Sequence, residues 1–334
     1  VGLIHQGPEF VKNMNGIFAF AFYDVVLNKL IVARDHLGVK PFYYFQDVER
    51  FAFASELKAL LPFNQDFTLA PERLAEYLTF LWCPGEGTPF KEVKKLLPGH
   101  YMEFHMQDGH ISSRTVRYYQ IPLNGKSLKS DERKVIDQLD EKLNKAVERQ
   151  LLSDVPVGYF LSGGLDSTLL VAIARKITAN PIQCYTIETE ITDSREGFTD
   201  DLDFARKAAS FLDVKLEVVK ADVNIVRDFD KMIWYLDEPQ ADPAPLNVYN
   251  IACRAREMGY KVLVGGTGGD DLFSGYRRHQ ALQFEKYIQL IPAFVRYLLA
   301  KIRVDNSKSF GRRMNKILRE INKPKIQRLA NFYT

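Results

Sequence analysis

The sequence predicts an α/β protein in which a parallel, doubly wound sheet is preceded by an α+β domain built on antiparallel sheet. Three observations predict it. Up to about Tyr118 the apolar residues alternate in short runs separated by turns. After a polar, turn-rich stretch at 121–127 the pattern changes to short apolar strands alternating with helices. Two of those later strands then run into glycine-rich turns that carry carboxylates.

In the first half, Phe18, Phe20 and Phe22 alternate with small residues, and Leu30-Ile31-Val32-Ala33 follows a short Asn28-Lys29 turn. This is a hairpin pattern. A second hairpin is expected at 101–104 and 111–118, with Asp108-Gly109 supplying residues that tolerate positive φ. Between them Pro71 suits a first helical turn, and Leu74, Tyr77, Leu78 and Leu81 recur at helical spacing.

The second half opens on a long amphipathic helix over 131–152, with Val135, Leu139, Leu143 and Val147 four residues apart and charges between them. Strands over 155–161, 182–187 and 214–219 then alternate with helices over 165–177 and 200–212. A helix over 246–258 leads through Gly259 into the strand 261–264. Beyond Ala281 the chain reads as helical and basic, a cap on the sheet. The two domains are therefore expected at 1–122 and 123–334.

Composition excludes several classes. A net charge of +3, from 45 basic and 42 acidic side chains spread along 334 residues, provides no basic stripe for a phosphate backbone, so nucleic acid is not an expected partner. No apolar run approaches the ~18 residues of a bilayer span, so no membrane partner is expected and the expected location is cytoplasmic. Cys83, Cys184 and Cys253 form neither a CxxC pair nor an even disulfide framework, and reduced structural thiols are expected. The histidines His100, His105, His110 and His279 lack metal-ligand spacing.

The most informative chemistry lies at 160–167, Phe-Leu-Ser-Gly-Gly-Leu-Asp-Ser, where an apolar strand ends and a helix begins. Gly163 and Gly164 let the backbone approach an anion, the helix start directs N–H groups at it, and Ser162 and Ser167 add hydroxyls. Asp166 would repel polyphosphate on its own. It makes sense if it holds a Mg²⁺ bridging to phosphate oxygens. The plainer reading is a tight strand-to-helix turn with a capping serine. The segment matches neither GxxxxGK[ST] nor GxGxxG.

A second turn, Gly265-Gly266-Thr267-Gly268-Gly269-Asp270-Asp271, again follows an apolar strand and should lie at the same carboxyl edge of the sheet. Alone it would read as an Asp-capped helix start. Paired with the first, it gives two carboxylate-bearing glycine loops that can face one ligand, with Asp166 and Asp270 sharing Mg²⁺.

The first loop resembles the SGGxDS loop of the N-type ATP pyrophosphatases, which cleave ATP between the α- and β-phosphates. With both loops, the chain resembles the asparagine synthetase family over essentially its whole length. Residues 16–24, 34–44 and 54–60 look like the later part of a class II glutaminase domain, Asp237-Glu238-Pro239-Gln240-Ala241-Asp242-Pro243 like the segment lining the synthetase cleft, and Gly275-Tyr276 completes the second loop. The resemblance implies an adenine nucleotide α-hydrolase-like sheet after a partial N-terminal-nucleophile hydrolase-like domain. It implies a ligase that adenylates a carboxylate, aspartate by family default, and amidates it with glutamine-derived ammonia, releasing AMP and pyrophosphate. ATP and Mg²⁺ are the implied cofactors. Leu161, Ser162, Gly163, Gly164, Leu165, Asp166, Ser167, Ile187, Gly265 and Gly266 are the implied ATP and pyrophosphate contacts, with Leu161, Ile187, Gly265 and Gly266 towards adenosine; Asp166 and Asp270 are the implied metal ligands. A homodimer is compatible with this reading.

Read from the residues alone, Arg34-Asp35 and Lys40-Pro41 are sheet-end and turn residues, and Asp237, Glu238 and Asp242 serve either as caps or as functional carboxylates. Two departures from the family pattern stand out. A class II glutaminase uses an N-terminal cysteine, whereas this sequence begins at Val1 and its first cysteine, Cys83, lies mid-domain. The expectation is an internal fragment that lacks the nucleophile, and the family's C-terminal helices, and does not hydrolyse glutamine. Thr267 stands where the family typically carries glutamate, which opens the acceptor to a sugar acid or another small carboxylate. An RNA-modifying adenylase and a non-catalytic nucleotide-binding paralogue are the competing readings.

Overall fold

The computed structural model describes residues 1–63, 67–107, 110–122, 131–189, 201–221, 225–238, 240, 244–276, 279, 285, 287–305, 309–325 and 327–328. The Asp108-Gly109 turn, Asp242 and residues 123–127 of the expected 121–127 boundary stretch fall outside them. The chain forms two compact units: Val1–Lys129 with Val226–Asp242, and Ser130–Ile225 with Pro243–Thr334.

The first unit begins with α1 (Gly2–Gln6) and a 3-10 turn (Gly7–Asn13), then carries two antiparallel sheets. One contains β1 (Ala19–Asp24), β2 (Lys29–Arg34), β6 (His100–Gln107) and β7 (His110–Arg117) in the order β1-β2-β6-β7. The other contains β3 (Tyr43–Gln46), β4 (Phe51–Ala54) and β5 (Val93–Lys95) in the order β4-β3-β5. Both expected hairpins are present. Ala19 pairs with Arg34 and Asp24 with Lys29 around Asn28 at φ 48°, while His100 pairs with Arg117. Ile31, Val32 and Ala33 are all buried, so β2 is covered on both faces. Val32, Phe42, Leu96, Met102 and Phe104 pack into one cluster, and Tyr43, Leu57, Leu60 and Val93 into another.

Arg34 and Asp35 hold the end of β2. The Arg34 guanidinium donates to the carbonyls of Lys40, Leu96 and Gly38, and the buried Asp35 carboxylate accepts from the backbone N–H groups of Leu37, Val39 and Lys40. A 3-10 turn (Leu57–Phe63) and α2 (Pro71–Phe80) follow β4. The helix begins at Pro71 as expected, but Leu74 and Tyr77 are half-buried and Leu78 is exposed.

The second unit opens with α3 (Glu132–Gln150), whose Asp131 side chain accepts from the Arg133 N–H as an N-cap. Only the later part of its apolar stripe is covered: Val147 is buried and Leu143 packs beside it, whereas Val135 and Leu139 are exposed. The sheet contains β8 (Val157–Phe160), β9 (Gln183–Thr189), β10 (Lys215–Ala221) and β11 (Val262–Val264), all parallel, in the order β10-β9-β8-β11. Between them run α4 (Leu165–Ile177) and α5 (Asp201–Leu212), then α6 (Ile225–Leu236), which groups with the first unit from Val226 onwards, and α7 (Ala244–Glu257). Leu161, Val171, Ala174 and Cys184 form the fully covered centre of this unit. The helix α8 (Gly269–Phe273) follows β11, and the basic C-terminal region contains α9 (Ala293–Leu299) and α10 (Ser309–Glu320).

The three cysteines are free, Cys83 and Cys184 buried and Cys253 exposed. No described helix is long and apolar enough to cross a membrane.

Candidate functional site at the carboxyl edge of the parallel sheet

The chain runs outward from β8 to β9 and β10 and then returns to place β11 on the other side of β8. That reversal opens a crevice at the carboxyl ends of β8 and β11, where ligands of such sheets bind. Val264 is paired with Tyr159, so the two strands end side by side. The first glycine loop follows β8 and the second follows β11.

Within the first loop, Leu161 is fully buried and its N–H donates to the Tyr185 carbonyl at 2.9 Å, anchoring the loop to β9. Gly163 lies at φ 79°, and a Cβ there would overlap the backbone of Phe204 and Ala205 on α5. Both the conformation and the space require glycine. The Ser162 and Ser167 hydroxyls are 3.0 Å apart; Ser167 Oγ also donates to the Gly164 carbonyl at 3.2 Å and accepts from the Ser162 N–H at 3.3 Å. The serines thus brace the turn. Gly164 caps α4, whose first turn carries Asp166, so the N–H groups that lack intrahelical partners face the crevice end of the helix.

The second loop packs directly on the first. A Cβ on Gly266 would sit 2.8 Å from Ser167 N and 2.9 Å from the Asp166 carbonyl carbon. A Cβ on Gly269 would overlap the Asp166 carboxylate, with Cγ 2.5 Å away. Gly268, at φ 97°, turns the chain into α8, and the Gly269 N–H donates to the Gly266 carbonyl at 3.2 Å. Asp270 follows in the first turn of α8.

Among the described residues, neither Asp166 nor Asp270 takes part in a side-chain hydrogen bond or ion pair. No described group of three or more His, Cys, Asp or Glu forms a metal cage. Two half-buried, unpaired carboxylates beside a phosphate-type loop fit Mg²⁺, which is commonly held by one or two carboxylates with the remaining positions filled by phosphate oxygens and water.

The sequence-derived residues 161–167, Gly265, Gly266 and Asp270 therefore lie on two loops at one sheet edge. Their side chains contribute unequally: Leu161 is a core residue and Leu165 is exposed. Ile187 is on β9, in a cluster with Tyr185, Ile251 and Ala255. A Cβ on Gly265 would sit 3.3 Å from the Phe160 ring. Asp237 and Glu238 belong to the first unit instead, where they bind Lys58, Lys95 and Tyr43. Gly269, in contact with Asp166, was not singled out from sequence; its place one residue before Asp270 was the available signal.

Residues 138–334, more than half of the chain, match the family model described as Asparagine synthase. The chain belongs to that family. Residues 2–119 match the model described as Glutamine amidotransferase domain. The chain is similar to the glutamine-hydrolyzing asparagine synthetase 1 of Bacillus subtilis, 30% identical over 89% of this chain and 45% of that protein. It is also similar to a protein named as a glutamine-hydrolyzing asparagine synthetase in Mycobacterium bovis, 31% identical over 90% of this chain and 46% of that protein. A relative from Gibberella zeae, amidase chry2, is 29% identical over 83% of this chain and 42% of that protein. The chain thus spans about half the length of the curated relatives it matches.

Proposed function

We propose that this chain is the ATP-activating part of a glutamine-dependent amidating ligase that makes an acyl-adenylate from a carboxylic acid. The observation that carries this reading is the contact of Gly266 and Gly269 with Asp166, which joins two carboxylate-bearing glycine loops at the mouth of the parallel sheet. In this reading residues 161–167 receive the phosphates, and Leu161, Ile187, Gly265 and Gly266 border the adenosine. Bound Mg²⁺ supplies Lewis-acid stabilisation of the negative charge on the departing pyrophosphate. Asp166 and Asp270 would hold that ion, while Ser162 and Ser167 brace the turn so that its N–H donors stay aimed at the phosphates. The acceptor carboxylate, oriented against ATP, attacks the α-phosphorus. Ammonia then displaces AMP to form the amide, and proximity supplies much of the rate.

Domains at 1–122 and 123–334 are part of the same proposal, as is aspartate as the acceptor. Thr267 bears on the latter. It is exposed, follows Gly266 and replaces a carboxylate by a hydroxyl at the site, which also suits a sugar acid or another small carboxylate as the acceptor.

The test is carboxylate-dependent ATP–pyrophosphate exchange, with aspartate and sugar acids compared as acceptors. Asp166→Ala and Asp270→Ala should each abolish exchange while preserving the circular-dichroism spectrum. Exchange retained in both variants would refute the assignment.

A further inference from the structure

The segment from Val226 to Asp242 groups with the first unit, although the chain on either side of it belongs to the second. Its apolar attachment is slight. Of the described side chains from 227 to 238 only Met232 is buried, while Phe229, Trp234 and Tyr235 are exposed. Its polar attachment, by contrast, is dense and concentrated at two consecutive carboxylates.

Asp237 sits at φ 62° at the end of α6. Its carboxylate accepts from the Leu57 N–H at 2.7 Å and from Lys58 Nζ at 2.9 Å, so it caps the 3-10 turn Leu57–Phe63 from 180 residues away in sequence. Lys58 Nζ also donates to the Trp234 carbonyl at 2.8 Å and lies 5.2 Å from the Trp234 ring centroid. Burial lowers the Lys58 pKa, but Glu56 and Asp237 outweigh it and leave the ammonium favoured. Glu238 accepts from the Tyr43 hydroxyl at 2.8 Å and from Lys95 Nζ at 3.0 Å. Lys95 also donates to the Cys83 carbonyl at 2.6 Å. Burial, then the Glu238 charge, push the Tyr43 hydroxyl well above its ordinary value.

A non-glycine residue in the left-handed region is an uncommon conformation that must be held by its surroundings. Here the carboxylate of Asp237, accepting from the Leu57 N–H, the Lys58 N–H and Lys58 Nζ, holds it. If the two carboxylates left, the buried Lys95 and Tyr43 would lose their partners, which favours two discrete states over gradual loosening. We propose that Tyr43, Lys58 and Lys95 form an ionic latch that seats the 226–242 segment on the first unit when closed and releases it when open. Six residues after Glu238 the chain enters α7, which belongs to the second unit. The inference does not depend on the proposed ligase activity.

The test is native-state hydrogen exchange on the 334-residue chain. In Lys95→Met, and in Asp237→Asn, which removes charge while tolerating the left-handed backbone, the amides of α6 should exchange about tenfold faster. Those of β2 and α4 should keep their protection. Lys58→Met, at the edge of the cluster, gives a second reading if Lys95→Met fails to fold. Unchanged α6 protection in the variants would overturn the latch, and so would a uniform loss of protection across both units.

Discussion

Gly266→Ala isolates the contact between the two glycine loops. Its backbone is not in the left-handed region, so alanine brings no conformational penalty of that kind. The added carbon would instead meet Ser167 N at 2.8 Å and the Asp166 carbonyl carbon at 2.9 Å. Carbon contacts are comfortable from about 3.5 Å, so the loops must separate by roughly 0.6 Å. Both opposing atoms are main chain, one at the second and one at the third residue of α4, and cannot swing aside as a side-chain end does. Overpacking of this kind costs about 1–3 kcal/mol of stability. Displacement of about half an ångström at a positioning site should also lower pyrophosphate exchange about tenfold, given that 1 Å costs ~100-fold. Two neighbours serve as controls. Gly265→Ala meets nothing closer than the Phe160 side chain at 3.3 Å and should be milder, whereas Gly268→Ala has open space but φ 97° and should lose about 1–2 kcal/mol through its backbone alone. Urea unfolding and exchange rates measured on all three decide the matter. If Gly266→Ala matched the wild type in both measurements, the loop-to-loop contact would be wrong.

Asp35→Ala removes an acceptor shared by three backbone N–H groups at a site 2% exposed, and should cost about 3 kcal/mol in urea unfolding. A loss below about 1 kcal/mol would mean that water replaces those bonds. Glu285 is buried and takes two hydrogen bonds from Arg328, at 2.9 and 2.6 Å, which hold its carboxyl below the ordinary glutamate value against the opposing effect of burial. Its stabilisation is therefore complete above that ordinary value and is lost as pH falls through the lowered one. Glu285→Gln should flatten this part of the stability profile between neutral and acid pH, and an unaltered slope would exclude the pair as its source.

Much of the second unit was legible because its signals are local. The helix 165–177 appears with the expected limits, set by glycines before it and an unbroken apolar face within it. Strands read as short apolar runs lie within two residues of their observed limits. The stripe on α3 shows where pattern stops short: periodicity correctly indicates a helix, yet whether Val135 and Leu139 are covered depends on a neighbour that periodicity does not reveal. The grouping of 226–242 with the first unit was invisible for the same reason. Asp237 and Leu57 meet across 180 residues, and no local rule pairs them. At the site, the loops and their shared edge could be read from glycine and carboxylate spacing, while the contact of Gly269 with Asp166 required coordinates.

The place of Gly163 against Phe204 and Ala205 has a consequence for engineering. The 160–167 turn is moulded partly by a helix that begins more than thirty residues later, so its eight residues are not a portable cassette. Transplanting them into another parallel sheet would require a helix at the same stand-off. Conversely, enlarging Ala205 would reshape the turn without altering any residue in it.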